Sequence, residues 1–493
     1  MKTRHNILLT GITGAVGGWI AAEALSRGHR ILAIIRGGDA ADAMVRIGQA
    51  VGIAGVRNAA DGVEAIKGDI CEDSFGVTDE TKLNGVSMIF HCAASIEFSD
   101  NNSEHNLKTN VEGTKNALDL AAKLKVPVCY ISTAYIAGKR HGIVKENETG
   151  IGQAFNNVYE QTKCQAETLV HRWAKETGLA AFIFRPSIVI GDSKAGRIAT
   201  FNGIYNTLAF LDTIGPAIRN EEIRVVGQAD ITKNLIPVDY LAQAIWHIID
   251  IGPAGTYHIT NPCPLTLEQL RDIYSNLFGF NARLVTEEEF HRRKPTRTEL
   301  LYRKINLLYA PYMAGEPVFD RKNTDSVLKY TDLKMPAIDT AYFNRLVNYA
   351  RSVRWGKSQP SRKVADGSSL AATEMYFEDF MTKKINHQIF PGLQNLSVSF
   401  RIALKERPDI YWSLAVKQGV LTDISRNGMT YDCSFIVDMD AFEQIASGKL
   451  SPQFAFFKRK VSFEGNTETG LKLVNALAIF FKNHPFNMET GGQ

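Results

Sequence analysis

A chain of 493 residues is too long for one ordinary domain, so two are expected, one large and one small. A hydrophobic share of 45% and a charged share of 22% are those of a soluble globular protein with a real core rather than of a disordered chain. The formal charge of +4 is nearly balanced, so nothing singles out a nucleic acid and no such partner is expected.

Six cysteines, Cys71, Cys92, Cys129, Cys164, Cys263 and Cys433, are scattered with no CxxC pair. That pattern favours structural thiols in a reducing cytoplasm over disulfides or a metal site. No apolar run approaches the roughly twenty residues that span a bilayer, so any membrane association is peripheral.

The first thirty-six residues set the reading of the rest. Ile7, Leu8 and Leu9 read as a buried strand, Trp19 to Leu25 recur at helical spacing, and Ile31 to Ile35 form a second apolar strand. Between strand and helix lies Thr10-Gly11-Ile12-Thr13-Gly14-Ala15-Val16-Gly17. Glycines at that spacing let a pyrophosphate approach the backbone at a helix N-terminus, so Gly11, Thr13, Gly14, Ala15, Val16 and Gly17 are expected to hold a dinucleotide. Lys2, Arg4 and the apolar stretch through Ala22 also fit a secretory leader. Cleavage there would remove a turn whose downstream partners are present, which favours the nucleotide reading.

Arg36 ends the second strand, where an acidic residue would suit the ribose hydroxyls of NAD and an arginine suits the 2′-phosphate of NADP. NADPH is therefore the expected cofactor. Residues 63–70 read as a third strand followed by a polar turn, which places Asp69, with Ile70 beside it, at the strand's carboxyl end, the edge where open α/β sheets bind ligands. Val86 to Phe90 is a further strand running into His91-Cys92-Ala93-Ala94-Ser95, whose small residues let a cofactor lie against the backbone. His91 reads as a packed residue more readily than as an acid or base.

Asn110 begins a predicted helix through Lys123, and Pro127 to Ile131 is a strand delivering Ser132-Thr133-Ala134-Tyr135 to the sheet edge. Tyr159 and Lys163 follow at i and i+4 on a helix that runs through Trp173, so they share a face. A phenol is a poor proton source at neutral pH, and an ammonium one turn away stabilises its phenolate. Thr133 can then hydrogen-bond a substrate carbonyl beside it.

The glycine turn, the strand-end Ser132-Thr133 and the Tyr159-Lys163 pair, in this order, resemble the extended short-chain dehydrogenases/reductases. The resemblance implies a Rossmann-type doubly wound parallel sheet and a catalytic group of Thr133, Tyr159 and Lys163. In it Tyr159 donates the proton and Lys163 also binds the nicotinamide ribose. It further implies that Asp69 approaches the adenine and that Ala93, Pro186 and Ser187 line the cofactor.

Phe90 to Phe98, Thr109-Asn110-Val111-Glu112-Gly113-Thr114 and Arg185 to Ser193 narrow the likeness to fatty acyl-CoA reductases and terminal thioester reductase domains. These motifs span roughly residues 5–240.

Farther on, Ile236 to Tyr240 precede a helix through Ile249, and Thr256 to Ile259 read as a last sheet strand. Residues 192–230 and 265–350 are expected to cover the carboxyl edge as a helical substrate-binding part. Arg292, Arg293, Lys294, Arg297, Arg303 and Lys304 form a basic cluster. It suits either the phosphates of coenzyme A or an acidic carrier, or a solvated helix face.

The expected boundaries are a reductase domain at 1–355, a Gly/Ser/Pro linker at 356–372 and a second domain at 373–493. There, Asp409 to Val420 and Met429 to Met439 alternate like half-buried strands around a turn at Arg426-Asn427-Gly428, and a helix runs from Thr467 to Phe481. Ser447-Gly448-Lys449-Leu450 and Glu464-Gly465-Asn466 resemble the sterol carrier protein type 2 family, a small α/β fold around a lipid tunnel. No catalytic constellation falls in this part.

The combined expectation is NADPH-dependent reduction of a long-chain acyl thioester, carried on coenzyme A or an acyl carrier protein, to an aldehyde and on to an alcohol. A lipid in the second domain and a second copy of the chain stand as candidate partners. Two other readings stay open: oxidation or reduction of a sterol or other lipid alcohol or ketone, and a lipid-binding protein that only senses NADP.

Overall fold

The computed structural model describes residues 4–98, 103–219, 221–356, 367–390, 397–428, 431–452, 455, 460–465 and 467–486. Two compact units divide the chain, Met1–Lys357 and Ser358–Gln493.

The first unit is built on seven parallel strands: β1 (Asn6–Thr10), β2 (Arg30–Ile35), β3 (Val63–Lys67), β4 (Met88–His91), β5 (Val128–Ile131), β6 (Ala181–Pro186) and β7 (Gly255–Ile259). Their spatial order is β7-β6-β5-β4-β1-β2-β3, with β1 paired in register to β2 on one side and to β4 on the other. All-parallel strands are covered on both faces, which is why these runs read as continuously apolar rather than alternating.

One face packs under α1 (Gly17–Ser26), α2 (Ala40–Ile53) and α5 (Val238–Ile251). The other packs under α3 (Gly113–Leu124) and α4 (Val158–Thr177). Trp246 of α5 is fully buried and its indole N–H donates to the Ile20 carbonyl at 3.0 Å, so the largest side chain of that layer has its polar atom satisfied.

The third strand ends at Lys67 and a polar turn follows, in which the Gly68 and Asp69 N–H groups donate to the Ile35 and Phe75 carbonyls. The helix expected from Asn110 starts earlier, at Ser103, and passes through a π-helical turn at Leu107–Glu112 before α3. The extra residue in that turn brings Asn110 inward, 1% exposed, where periodicity alone would place an apolar side chain.

The second unit holds a five-stranded sheet: β8 (Val398–Leu404), β9 (Tyr411–Lys417), β10 (Val420–Arg426), β11 (Cys433–Val437) and β12 (Val461–Gly465), in the order β10-β9-β8-β11-β12. Only the β8–β11 pair is parallel. The expected strand at Asp409 to Val420 is in fact interrupted by a tight hairpin, with Gln418 and Gly419 both at positive φ. Such a two-residue turn joins β9 to β10.

Met439 opens a helix, α7 (Met439–Ala446), rather than closing a strand, and Met429 lies outside the described residues. Most of the expected linker, 357–366, also lies outside them. Its last residues, however, belong to helix α6 (Gly367–Met375), and the closing helix α8 extends over Thr467–Asn483. The centre of this unit is aromatic: Phe377 stacks on Trp412 at 4.5 Å and on Phe442 at 5.2 Å.

Candidate active site

The carboxyl ends of the strands collect the residues singled out above. Gly11 follows β1 with φ +77°, and a Cβ on it would lie 2.6 Å from the Ala93 nitrogen. A Cβ on Gly17 would lie 2.1 Å from the Gly11 carbonyl oxygen, so the turn closes on bare backbone. Thr13 is exposed and Gly14, Ala15 and Val16 are half-buried, which leaves a backbone cradle at the start of α1 facing outward. Thr10 Oγ1 is 2.9 Å from His91 Nδ1 and accepts from the Ala93 N–H at 3.2 Å, tying β1 to β4 where the strand order reverses. That switch point is where doubly wound sheets bind nucleotides, and the cradle fits a diphosphate there.

Arg36 is exposed directly after β2. Its carbonyl and that of Gly37 accept from Arg46 Nη2 at 3.1 and 3.0 Å. Sequence reading passed over Arg46, although its place on the helix that follows β2 was a usable signal. Asp69 Oδ1 accepts from the Cys71 N–H at 2.9 Å, and the Ile70 side chain belongs to the core beside α3. Pro186 is buried at the end of β6, and the Ser187 hydroxyl is buried with no hydrogen-bond partner among the described residues. An unsatisfied hydroxyl at the carboxyl edge of the sheet is what a polar cofactor group would complete.

Thr133 follows β5, while Tyr159 and Lys163 stand on the first turns of α4, whose N-cap Asn157 accepts from the Glu160 N–H at 3.0 Å. Lys163 Nζ donates to the Ile131 carbonyl at 2.6 Å and lies 4.2 Å from the centre of the Tyr130 ring. Burial lowers the Lys163 ammonium to about 7, against the pull of Cys92 and Glu167. Burial raises the Tyr159 phenol to about 12, and the Thr133 hydroxyl, hydrogen-bonded to it, works the other way. A neutral phenol with a hydroxyl hydrogen-bonded to it can hold and protonate a developing oxyanion.

His91 is neutral and packed: burial lowers it to about 3, with the charge of Lys163 adding to the effect. Three of the six residues of the expected basic cluster pair with nearby acids. Arg292 pairs with Glu288, Arg293 with Glu299 and Arg303 with Glu287, and all three arginine side chains stay exposed.

Sequence reading missed two supports of the site. Asn110 donates to the Ser95 carbonyl and accepts from its N–H, and also donates to Thr162 Oγ1, clamping the loop after β4 to α4. Glu167, one turn beyond Lys163, accepts from the Ser132 hydroxyl at 2.5 Å and pairs with buried Arg185. Burial would raise Glu167, but Arg185, His171 and Ser132 bring it down to about 2. Among the described residues no group of acids, histidines and cysteines is placed to hold a metal, and no helix is long and apolar enough to cross a membrane.

The sheet order and the glycine turn give the first unit the NAD(P)-binding fold of the extended short-chain dehydrogenases/reductases. Residues 9–245 match the family described as male sterility protein, and residues 386–478 match the SCP-2 sterol transfer family, so the first unit carries a region of the one kind and the second a region of the other.

The nonribosomal peptide synthetase asaC of Aspergillus flavus is 27% identical over 339 residues, 63% of this chain and 31% of that one. The L-2-aminoadipate reductase of Saccharomyces cerevisiae is 27% identical over 272 residues, covering 50% of this chain and 19% of its own length. The chain thus spans a third or less of these two relatives. The terminal reductase domain of the myxalamid pathway superposes with a TM-score of 0.61 at 24% identity, over 72% of this chain and 92% of that domain, a likeness of fold.

Proposed function

We propose that the protein is an NADPH-dependent reductase of a long-chain acyl thioester presented on coenzyme A or an acyl carrier protein. The observation that carries the reading is the convergence of Thr133, Tyr159 and Lys163 on the sheet edge beside the glycine turn. The reductase relatives support thioester chemistry, and the SCP-2 match supports a lipid-like acyl group.

Bound NADPH supplies the hydride. Thr133 and Tyr159 hold the carbonyl oxygen, and Tyr159 delivers the proton as the carbonyl becomes a hemithioacetal. Loss of the thiol from that adduct gives the aldehyde, and a second round gives the alcohol. Lys163 would offset the charge left on the Tyr159 oxygen and hold the ribose hydroxyls, and Arg36 would bind the 2′-phosphate.

Incubation with NADPH and acyl-CoA or acyl-carrier thioesters of graded chain length tests this: aldehyde or alcohol is expected, and absence of both at every length overturns it. Arg36→Asp is expected to weaken NADPH binding by at least about tenfold while sparing NADH, as fits loss of one charge-assisted phosphate contact. Equal loss of both cofactors would show that Arg36 does not read the phosphate.

A further inference from the structure

One segment of the first unit crosses the site without belonging to its core. Leu307–Ala314 is a 3₁₀-helical stretch interrupted by Pro311, and none of its residues is fully buried. Leu307 and Leu308 are 63% and 57% exposed. What holds it is a set of polar anchors on the catalytic elements themselves.

The Tyr312 hydroxyl donates to Glu160 Oε1 at 2.5 Å and accepts from Asn157 Nδ2 at 2.8 Å, so both residues flanking the start of the Tyr159 helix grip one ring. Lys233 Nζ donates to the Tyr312 carbonyl. Just beyond, Glu316 accepts from the Tyr135 hydroxyl at 2.9 Å and from the Asn234 N–H at 2.8 Å. Tyr135 follows Thr133 by two residues. Glu160 is fully buried, and its other carboxylate contacts are the Asn156 N–H and side-chain amide, so Tyr312 completes its hydrogen bonding.

The aromatic face of the segment turns toward the phenol. Tyr309 and Tyr312 pack about Phe98 with ring centres 5.7 and 6.4 Å away, and Phe98 is itself 5.8 Å from the Tyr159 ring. Tyr135 meets Tyr312 edge-on at 5.4 Å. A surface segment with outward leucines, inward aromatics and anchors on both sides of the catalytic tyrosine has the construction of a substrate-facing wall.

We propose that residues 307–316 form a strap across the approach to Tyr159, in which Tyr312, Tyr309 and Phe98 limit the bulk of the acyl group beside the reacting carbonyl. The proposal rests on the thioester-reductase reading. Glu160 and Asn157 act as positioning residues, holding Tyr312 rather than touching substrate. A wall set by ring packing discriminates by shape, and loss of a whole ring widens the passage by far more than the single methylene that hydrophobic pockets discriminate by about tenfold or more.

Wild type, Tyr312→Ala and Tyr312→Phe are compared on straight-chain and α-branched or aryl acyl-CoA thioesters. The kcat and KM are measured separately, with calorimetric binding of the matching non-reactive S-alkyl coenzyme A thioethers. In Tyr312→Ala the bulky-to-straight ratio of kcat/KM, and of thioether affinity, is expected to rise at least about tenfold with NADPH binding unchanged. Tyr312→Phe keeps the ring and the wild-type preference but raises KM several-fold, because the grip on Glu160 is lost. A ratio within twofold of wild type in Tyr312→Ala, by both measurements, overturns the strap. Phe98→Leu is judged by the same ratio if Tyr312→Ala does not fold. Wild type that binds thioethers selectively but turns over no thioester fails the reductase reading and leaves the strap standing, so the two failures are distinct.

Discussion

Both units bury a large apolar core, but among the described residues only the first buries charge. Among the described residues Glu160, Lys163, Glu167, Arg185, Arg224 and Lys233 are all buried in the first unit, whereas the buried polar residues of the second are Thr373, Ser413 and Ser434. A buried charge costs several kcal/mol unless it is paired and hydrogen-bonded, so its concentration in one unit marks where the fold carries a cost for chemistry. The second unit has the opposite character. Tyr376, for example, is ringed by Phe377, Phe380, Phe442 and Phe486 at 5.1 to 5.4 Å, as suits a core built on aromatic packing.

The largest expected effect belongs to the charged side of this contrast. Tyr159→Phe should lower turnover by about 100-fold or more while NADPH binding, followed by nicotinamide fluorescence, stays near wild type. Retained turnover would remove the phenol from the chemistry.

Next come paired truncations, one in each unit. Glu167→Ala strands Arg185 and should cost about 3–5 kcal/mol, with turnover falling as the Ser132–Thr133 segment loses its anchor. Phe377→Ala should cost a similar ~3–5 kcal/mol through the cavity it leaves, yet reductase kinetics below the melting temperature should not change. Denaturation followed with parallel kinetics separates the two, and a kinetic defect in Phe377→Ala would break the contrast.

The remaining effect is on pH. Burial holds His91 and His258 to about 3, with nearby cations adding to it, whereas an unfolded histidine titrates near 6.5. Below 6.5 the unfolded chain therefore takes up protons that the folded one refuses. Stability is full above that value and falls toward pH 3, by about 1.4 kcal/mol per pH unit for each histidine. Melts of wild type and His258→Gln between pH 7 and 4 should show a shallower slope in the variant, and parallel slopes would contradict the assignment.

Much of the first unit was legible because its signals are local. A doubly covered parallel strand is an uninterrupted apolar run, as at Ile31 to Ile35, and a turn that must close on bare backbone needs glycine at Gly11 and Gly17. Tyr159 and Lys163 were legible because i and i+4 share a helix face whatever the tertiary context. The second unit was harder. Asp409 to Val420 reads as one alternating strand until Gln418 and Gly419 are seen to turn, since a hairpin with an undistinguished first turn residue leaves the period-two pattern almost intact.

By itself, then, the sequence determined the class of sheet, the nucleotide turn and the spacing of the Thr133, Tyr159 and Lys163 group, all set by contacts within a few residues or by backbone geometry. Only the tertiary structure decided the polar partnerships. Glu160 meets Tyr312 across 152 residues, Tyr135 meets Glu316 across 181, and Arg46 folds back on Arg36 from the next helix. A buried charge takes whichever partner the packing brings within hydrogen-bond reach, and distance along the chain carries no trace of that choice.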